Sequence, residues 1–377
     1  MSTQRDSKIW LKGWKGTNWL LFALVIGIAF FGVLMIYSAS SYNAEKNFGS
    51  SMYFVYKQLF GVGLGIIGML IFSKLNYQVL QKLMYPALIV GVLVLVLVLI
   101  PGVGIELYGA RRWIGVGGMS FQASEIAKFG FIIFASGYMA KNYEKMTTFW
   151  GPMPVLGAGL IMCVLIMLEP NMSVTICMGV LMITMVLIGG MRIKHLAICG
   201  APMLAVVPML IIMEPYRMKR LMAFLDPWAS PQGEGFQLIQ SLYALGNGGL
   251  FGVGLFNSRQ KYSFLPFSES DFIFSIIGEE FGFVGAILLI IAFAILVYAG
   301  FGVARRAKDR FGCYLAVGIS TIIAVQVLLN IAVVTGAVPP TGLPLPFISA
   351  GSTSLVVLMS AIGVVLNVDR QSRKSNI

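Results

Sequence analysis

The sequence predicts an all-α polytopic membrane protein: a single bundle of about ten transmembrane helices, with a large extracellular loop between helices 7 and 8. Three observations lead there. Of 377 residues, 58% are hydrophobic and only 11% are charged, against roughly half and a quarter in an ordinary soluble domain. Apolar runs near the length of about 20 residues that a span requires recur along the whole chain. Basic residues gather in alternate connections, as the positive-inside rule demands of a multi-span protein.

The runs fall at roughly 18–38, 53–73, 84–101, 121–140, 152–169, 172–189, 195–213, 272–300, 312–335 and 345–366. Arg5, Lys8, Lys12 and Lys15 lead into the first, which is too long for a signal-peptide core and ends without a small-x-small cleavage site, so it is expected to remain as an anchor. An even number of spans puts both termini on one side. With that side cytoplasmic, the inner segments hold Arg5, Lys8, Lys12, Lys15, Lys74, Lys82, Lys141, Lys145, Arg192, Lys194, Arg305, Arg306, Lys308, Arg310, Arg370, Arg373 and Lys374. The outer segments keep only Lys46, Arg111, Arg112, Arg217, Lys219, Arg220, Arg259 and Lys261. The net charge of +12 is therefore mostly a topology signal, and no nucleic-acid partner is needed to explain it. Nothing divides the chain, so residues 1–377 are expected to form one domain, with a cytoplasmic N-terminus (1–17) and C-terminus (367–377). Cys163, Cys177, Cys199 and Cys313 lie in or beside apolar runs without metal-ligand spacing, and neither a disulfide nor a cysteine metal site is expected.

Two outer segments stand apart. Residues 214–270 are too polar to span and too long for a simple connection, and loops of that length usually carry function. Within them, Asp226 to Phe236 (DPWASPQGEGF) is dense in turn residues. Gln237 to Gly254 then places Leu238, Leu242 and Leu245 at helical spacing before a glycine cluster. This predicts a turn, a short amphipathic helix lying on the bundle or in the outer interface, and a glycine-rich return. The other segment, Pro101 to Ser120, carries Arg111-Arg112 against the orientation rule. A purpose other than topology and a solvated loop with arginines snorkelling to headgroups both account for that pair.

Ionisable residues inside spans are expensive, and by default they face the bundle or a cavity with a partner. They are Lys57, Glu125, Lys128, Glu279 and Glu280, with Asp271 at a mouth. Glu125 and Lys128 sit three apart and can pair on one helical face. Asp271, Ser275, Gly278 and Gly282 form a strip of small residues headed by an acid, suited to close approach by another backbone or a ligand. No Walker or dinucleotide fingerprint appears, and His195 reads as part of a basic inner cluster. A polyprenyl-pyrophosphate-linked sugar suits an acid at an outer mouth: the carboxylate as general base, arginine and lysine on the leaving pyrophosphate, the lipid tail between helices.

Several long stretches, in order, resemble one known family. They are GARRWIGVGGMSFQASEIAK, EPNMS, RLMAFLDPWASPQGEGFQLIQSLYALGNGGLFGVGL, NSRQKYSFLPFSESDFIFSIIGEEFGFVG and TGLPLPFISAGSTSL. The family is the SEDS proteins of bacterial wall synthesis, which include the FtsW, RodA and SpoVE types. The resemblance implies a ten-helix bundle acting as a peptidoglycan glycosyltransferase that polymerises lipid II at the outer face of the cytoplasmic membrane during division or sporulation. It implies a class B penicillin-binding protein as partner, with other divisome or sporulation proteins and membrane lipids around it. It makes Asp271 the catalytic residue and gives Glu125, Lys128 and Arg112 functional weight. The NSRQK stretch favours the FtsW or SpoVE branch over RodA.

On this reading Asp271 takes the proton of an acceptor hydroxyl and the anomeric centre inverts. Arg111, Arg112, Glu125, Lys128, Arg259 and Lys261 are candidates around the substrate and its pyrophosphate, and Glu269, Glu279 and Glu280 are candidate modulators. A magnesium or manganese ion could share the pyrophosphate, although the sequence shows no dedicated metal cage and no certain cofactor. Three positions depart from the family pattern: Ala123 for proline, Gly351-Ser352 for a glycine pair, and Phe267 for the glutamate that usually precedes the aspartate. Glu269 could stand in for that glutamate. Two other readings remain open, a lipid II flippase and a non-catalytic scaffold that recruits the transpeptidase.

Overall fold

The computed structural model describes residues 18–107, 110–116, 119–201 and 215–374. Its helices follow the apolar runs. Trp19–Phe48, Tyr53–Lys74, Met84–Leu99, Ala123–Lys141, Met153–Leu168, Met172–Ile188, Ile273–Arg306, Arg310–Val334 and Ser352–Lys374 answer every expected span except the seventh. That one is helical over 193–201, and its remainder lies outside the described residues, as do 1–17. Five of the helices are long and apolar enough to cross a membrane alone. The 16-residue helices Met84–Leu99 and Met153–Leu168 reach only about 24 Å at 1.5 Å per residue.

Close packing relies on small residues. Gly61, Gly65 and Gly68 of the second helix face Ser352, Met359 and Ser360 of the last one, and Gly363 answers against Met69. Small residues let helix backbones approach where the surrounding lipid supplies no hydrophobic drive for association. One end of this bundle is closed by polar ties: Tyr77 Oη donates to Asp309 at 2.9 Å, Asn367 Nδ2 to Ser73 O at 2.7 Å, and Asp369 pairs with Arg306 at 3.2 Å and Arg373 at 2.8 Å.

The other end carries a small antiparallel sheet, Gly104–Leu107, Ala110–Val116 and Met119–Gln122, where the sequence suggested only a glycine-rich loop. Its third strand runs straight into the Ala123–Lys141 helix. The last helix begins at Ser352 rather than at 345: Phe347 has φ 65°, outside right-handed helical backbone, and interrupts TGLPLPFISAG ahead of it.

The long loop enters the bundle. Helix Pro215–Leu225 lies at its start, and helix Phe236–Gly248 packs against the eighth span. The buried stripe of the second helix is Leu238, Ser241, Ala244 and Gly248. Leu242, expected on that stripe, is exposed. Ser241 Oγ lies 2.8 Å from Ser275 Oγ and donates to Val334 O at 2.7 Å. The small-residue strip of the eighth span thus receives a segment of its own chain.

That span is broken. Gly282 has φ 69° and ψ −168°, a region essentially reserved for glycine. Phe283 and Val284 would ordinarily donate to Glu279 O and Glu280 O. Instead they donate to Gly249 O (2.9 Å) and Leu250 O (3.1 Å), while Val253 N and Gly254 N supply Glu279 O and Glu280 O at 3.0 Å each. The glycine-rich return therefore completes the interrupted ladder from outside. A Cβ on Gly282 would lie 2.6 Å from Leu250 O. Gly282→Ala should cost about 1–3 kcal/mol from backbone strain alone, read as a lower thermal midpoint in detergent and faster proteolysis within 249–261.

Candidate active site

Asp271 stands two residues before the eighth helix, at the sheet-bearing end of the bundle. Phe267 opens the turn that presents it: its φ is 56°, and its carbonyl accepts from Ser270 N at 3.0 Å. A bulky residue in left-handed backbone is strained, a local cost concentrated where the chain departs from the family glutamate. The following residues Phe272 and Ile273 are buried and anchor the turn to the core.

Strand alternation separates the double arginine. Side chains of neighbouring strand residues point to opposite faces, and here Arg111 pairs with Glu106 at 3.0 Å while Arg112 turns toward the bundle. Arg112 Nε donates to Glu169 O at 3.1 Å and its Nη2 to Pro170 O, so the tight turn between the fifth and sixth spans holds the guanidinium along two edges. Both carboxylate oxygens of Glu169 are buried without a hydrogen-bond partner. From the long loop, Arg220 donates to Pro340 O at 3.1 Å and approaches Glu234 at 3.9 Å.

Arg112 and Arg220 both act on Asp271. As a residue Asp271 keeps some contact with solvent, but its carboxyl lies in dense surroundings. Burial pushes its pKa up to about 6. Arg112, a hydrogen bond from Ser270 and Arg220 pull it down, and Glu269 adds to the rise. The Glu269 carboxyl is itself raised by burial, against a hydrogen bond from Ser268. The two acids of FLPFSESDFIF are thus electrostatically coupled, with Glu269 as a neighbour that tunes Asp271 upward.

Other expected site residues lie elsewhere. Lys128 and Glu125 form an enclosed ion pair at 2.8 Å, with Glu125 Oε2 unpartnered, and neither is among the charges that act on Asp271. Lys261, expected on pyrophosphate, is buried: its ammonium pairs with Glu280 at 3.2 Å and donates to Phe256 O at 2.6 Å. Glu280 also accepts from Ser38 Oγ at 2.5 Å. Glu279 accepts from Ser258 Oγ, from Arg259 N at 3.2 Å and from Gln260 N at 3.4 Å. The two glutamates just before the break hold the NSRQK segment in place. Only the Arg259 side chain of that segment remains exposed and cationic. The reading of residues alone overlooked Arg220. Its signal was the same as that of Arg111-Arg112, basic residues on the side where the orientation rule disfavours them.

The fold is that of a multi-span helical membrane protein, with a buried carboxyl at one mouth under the influence of two guanidiniums. Comparison with known proteins places it more closely. Residues 18–374 match the family described as "Cell cycle protein", that of FtsW, RodA and SpoVE, and the chain belongs to this family. It is 41% identical to "Stage V sporulation protein E" of Bacillus subtilis over 94% of this chain and 97% of that protein. It is 39% identical to "Probable peptidoglycan glycosyltransferase FtsW" of Trichlorobacter lovleyi, covering 93% and 92%. Among solved structures, one described as "Structural coordination of polymerization and crosslinking by a peptidoglycan synthase complex" superposes with TM-score 0.79 at 28% identity, over 95% of this chain and 99% of that one. The rod shape determining protein RodA of Thermus thermophilus gives TM-score 0.70 at 25% identity, over 95% and 98%.

Removing one partner of a buried ion pair leaves an uncompensated charge. Lys261→Met should therefore lower stability by about 3–5 kcal/mol, and the double variant with Glu280→Gln should recover most of the lost thermal midpoint. Recovery of activity in that double variant would separate a structural lysine from one that holds substrate.

Proposed function

We propose that this protein is a peptidoglycan glycosyltransferase that polymerises lipid II with inversion, working in the bacterial cytoplasmic membrane beside a class B penicillin-binding protein. The observation that carries the reading is Asp271, a carboxyl at the mouth of the bundle raised to about 6 by burial and held back from a larger rise by Arg112 and Arg220. The basic connections around Lys74, Arg306, Arg310 and Arg373 lie at the opposite end, which supports a sheet-bearing end facing outward and both termini in the cytoplasm. Relatives named as peptidoglycan glycosyltransferases supply the reaction class, and the similarity to a synthase complex that coordinates polymerization and crosslinking supports the transpeptidase partner. Similarity to both a sporulation protein and FtsW leaves the chain in the division or sporulation branch.

In the proposed step, the 4-hydroxyl of the lipid II GlcNAc attacks the anomeric carbon of the growing glycan. Its proton passes to Asp271. The bond from the anomeric carbon to the pyrophosphate oxygen breaks, and undecaprenyl pyrophosphate leaves with the electron pair. A general base works best with a pKa near the operating pH, and burial brings an aspartate close to it. Arg112 and Arg220, held by backbone carbonyls, offer preorganised positive charge to the leaving group. Among the described residues no group of three or more His, Cys, Asp or Glu side chains could hold a metal ion.

A broken helix is also a transporter feature. Here the free backbone groups at Gly282 are taken up by the chain's own loop, which argues against an open substrate path there.

Purified protein with its transpeptidase and labelled lipid II tests the reading. Asp271→Asn should reduce glycan formation by about 10²–10⁴-fold, and wild-type activity from Asp271→Ala would overturn the assignment. Because the base must be deprotonated, the rate should fall as pH drops through about 6. Glu269→Gln removes a negative neighbour and should move that acid limb to lower pH. Arg220→Gln removes a positive one and should move it higher.

A further inference from the structure

Three successive carbonyls at the candidate base each have their own donor. Ala350 N donates to Glu269 O at 2.9 Å, Ser349 Oγ to Ser270 O at 2.6 Å, and Asn330 Nδ2 to Asp271 O at 2.8 Å. The hydroxyl of Ser349 also accepts from Leu345 N at 2.8 Å, so its single hydrogen is committed to Ser270. Asn330 Nδ2 donates a second time, to Leu343 O at 2.7 Å.

Asn330 is 1% exposed, near the end of the Arg310–Val334 helix, and its Oδ1 has no partner. A buried amide is costly unless hydrogen-bonded. Its two donated bonds are the compensation the structure offers, and they join the carbonyl of Asp271 to the TGLPLP loop. In the same loop, a Cβ placed on Gly342 would lie 2.9 Å from Asp271 Oδ2. Fixing consecutive carbonyls fixes the peptide planes on either side of Ser270 and the bond leaving Asp271. That sets the direction of the Asp271 Cα–Cβ bond, and Gly342 leaves the carboxylate room on its flank that any larger residue would take.

We propose that Asn330, Ser349 and Gly342 are positioning residues for the Asp271 carboxylate, aiming it at the acceptor hydroxyl. The proposal rests on the reading of Asp271 as base. The three act through Asp271 rather than on the sugars, so they govern turnover more than substrate binding. Misplacement of a reacting group by about 1 Å can cost ~10²-fold.

The test uses full-length protein with its transpeptidase, and measures initial rates of labelled lipid II polymerisation against substrate concentration and pH. Asn330→Leu, Ser349→Ala and Gly342→Ala should each lower kcat by ~10–100-fold with KM nearly unchanged. Ser349→Thr, which keeps the hydroxyl, should retain most of the activity. Asn330→Leu should also move the acid limb to lower pH, because a loosened carboxylate gains water. Gly342→Ala removes no hydrogen bond, so it decides the matter if Asn330→Leu fails to fold. Folded variants with wild-type kcat, or losses that only track the fraction of folded protein, would overturn the proposal. Asp271→Ala serves as the reference. If it is fully active, the base assignment itself has failed, whereas an inactive Asp271→Ala beside fully active positioning variants refutes the positioning alone.

Discussion

Much of this structure depends on a backbone exchange at Gly282. A break in a membrane helix leaves donors and acceptors that hydrocarbon cannot satisfy. Here the loop segment Gly249–Gly254 supplies both kinds. The exchange draws the long loop into the bundle, and Glu279 and Glu280, just before the break, then have the NSRQK segment within reach. Their carboxylates take up its backbone amides, Ser258, Lys261 and Ser38 of the first span. One irregular residue thereby fixes the floor beneath the mouth in which Asp271 sits.

Above that floor, the site is built from segments distant in the chain. A strand contributes Arg112, a loop helix contributes Arg220, and the eighth span opens at Asp271. The surroundings oppose one another: burial and Glu269 favour the neutral acid, and the guanidiniums favour the carboxylate. The result lies between an ordinary aspartate and a permanently protonated one, which is the range in which a carboxyl can both take up and release a proton near neutrality.

The spans were legible in the sequence because hydrocarbon imposes a length and a composition that nothing else mimics. Asp271 stood out for a related reason, as an acid at the edge of such a run, and more strongly through the resemblance of its motif to the family's. The break was not legible, since residues 272–300 read as one span despite Glu279 and Glu280, and glycine there is equally a packing residue. Lys261 carried the signature of an exposed loop cation. Its burial depends on Glu280 and on Ser38, 223 positions away, contacts that no local pattern reveals. The sheet escaped because short strands separated by glycines look like irregular loop. Arg220 escaped because a basic helix in a polar segment has many ordinary explanations, and only Asp271 gives it a particular one.

The dispersed origin of the site also has a consequence for biosynthesis. The donors Ser349 and Ala350 come from near the C-terminal end of a chain that is inserted from its N-terminus, and Arg112 comes from its first third. Asp271 therefore emerges with Arg112 and Arg220 already made and without the groups that will hold its backbone. The constellation closes only when the last span is placed, so a chain still being made carries the acid without a finished site.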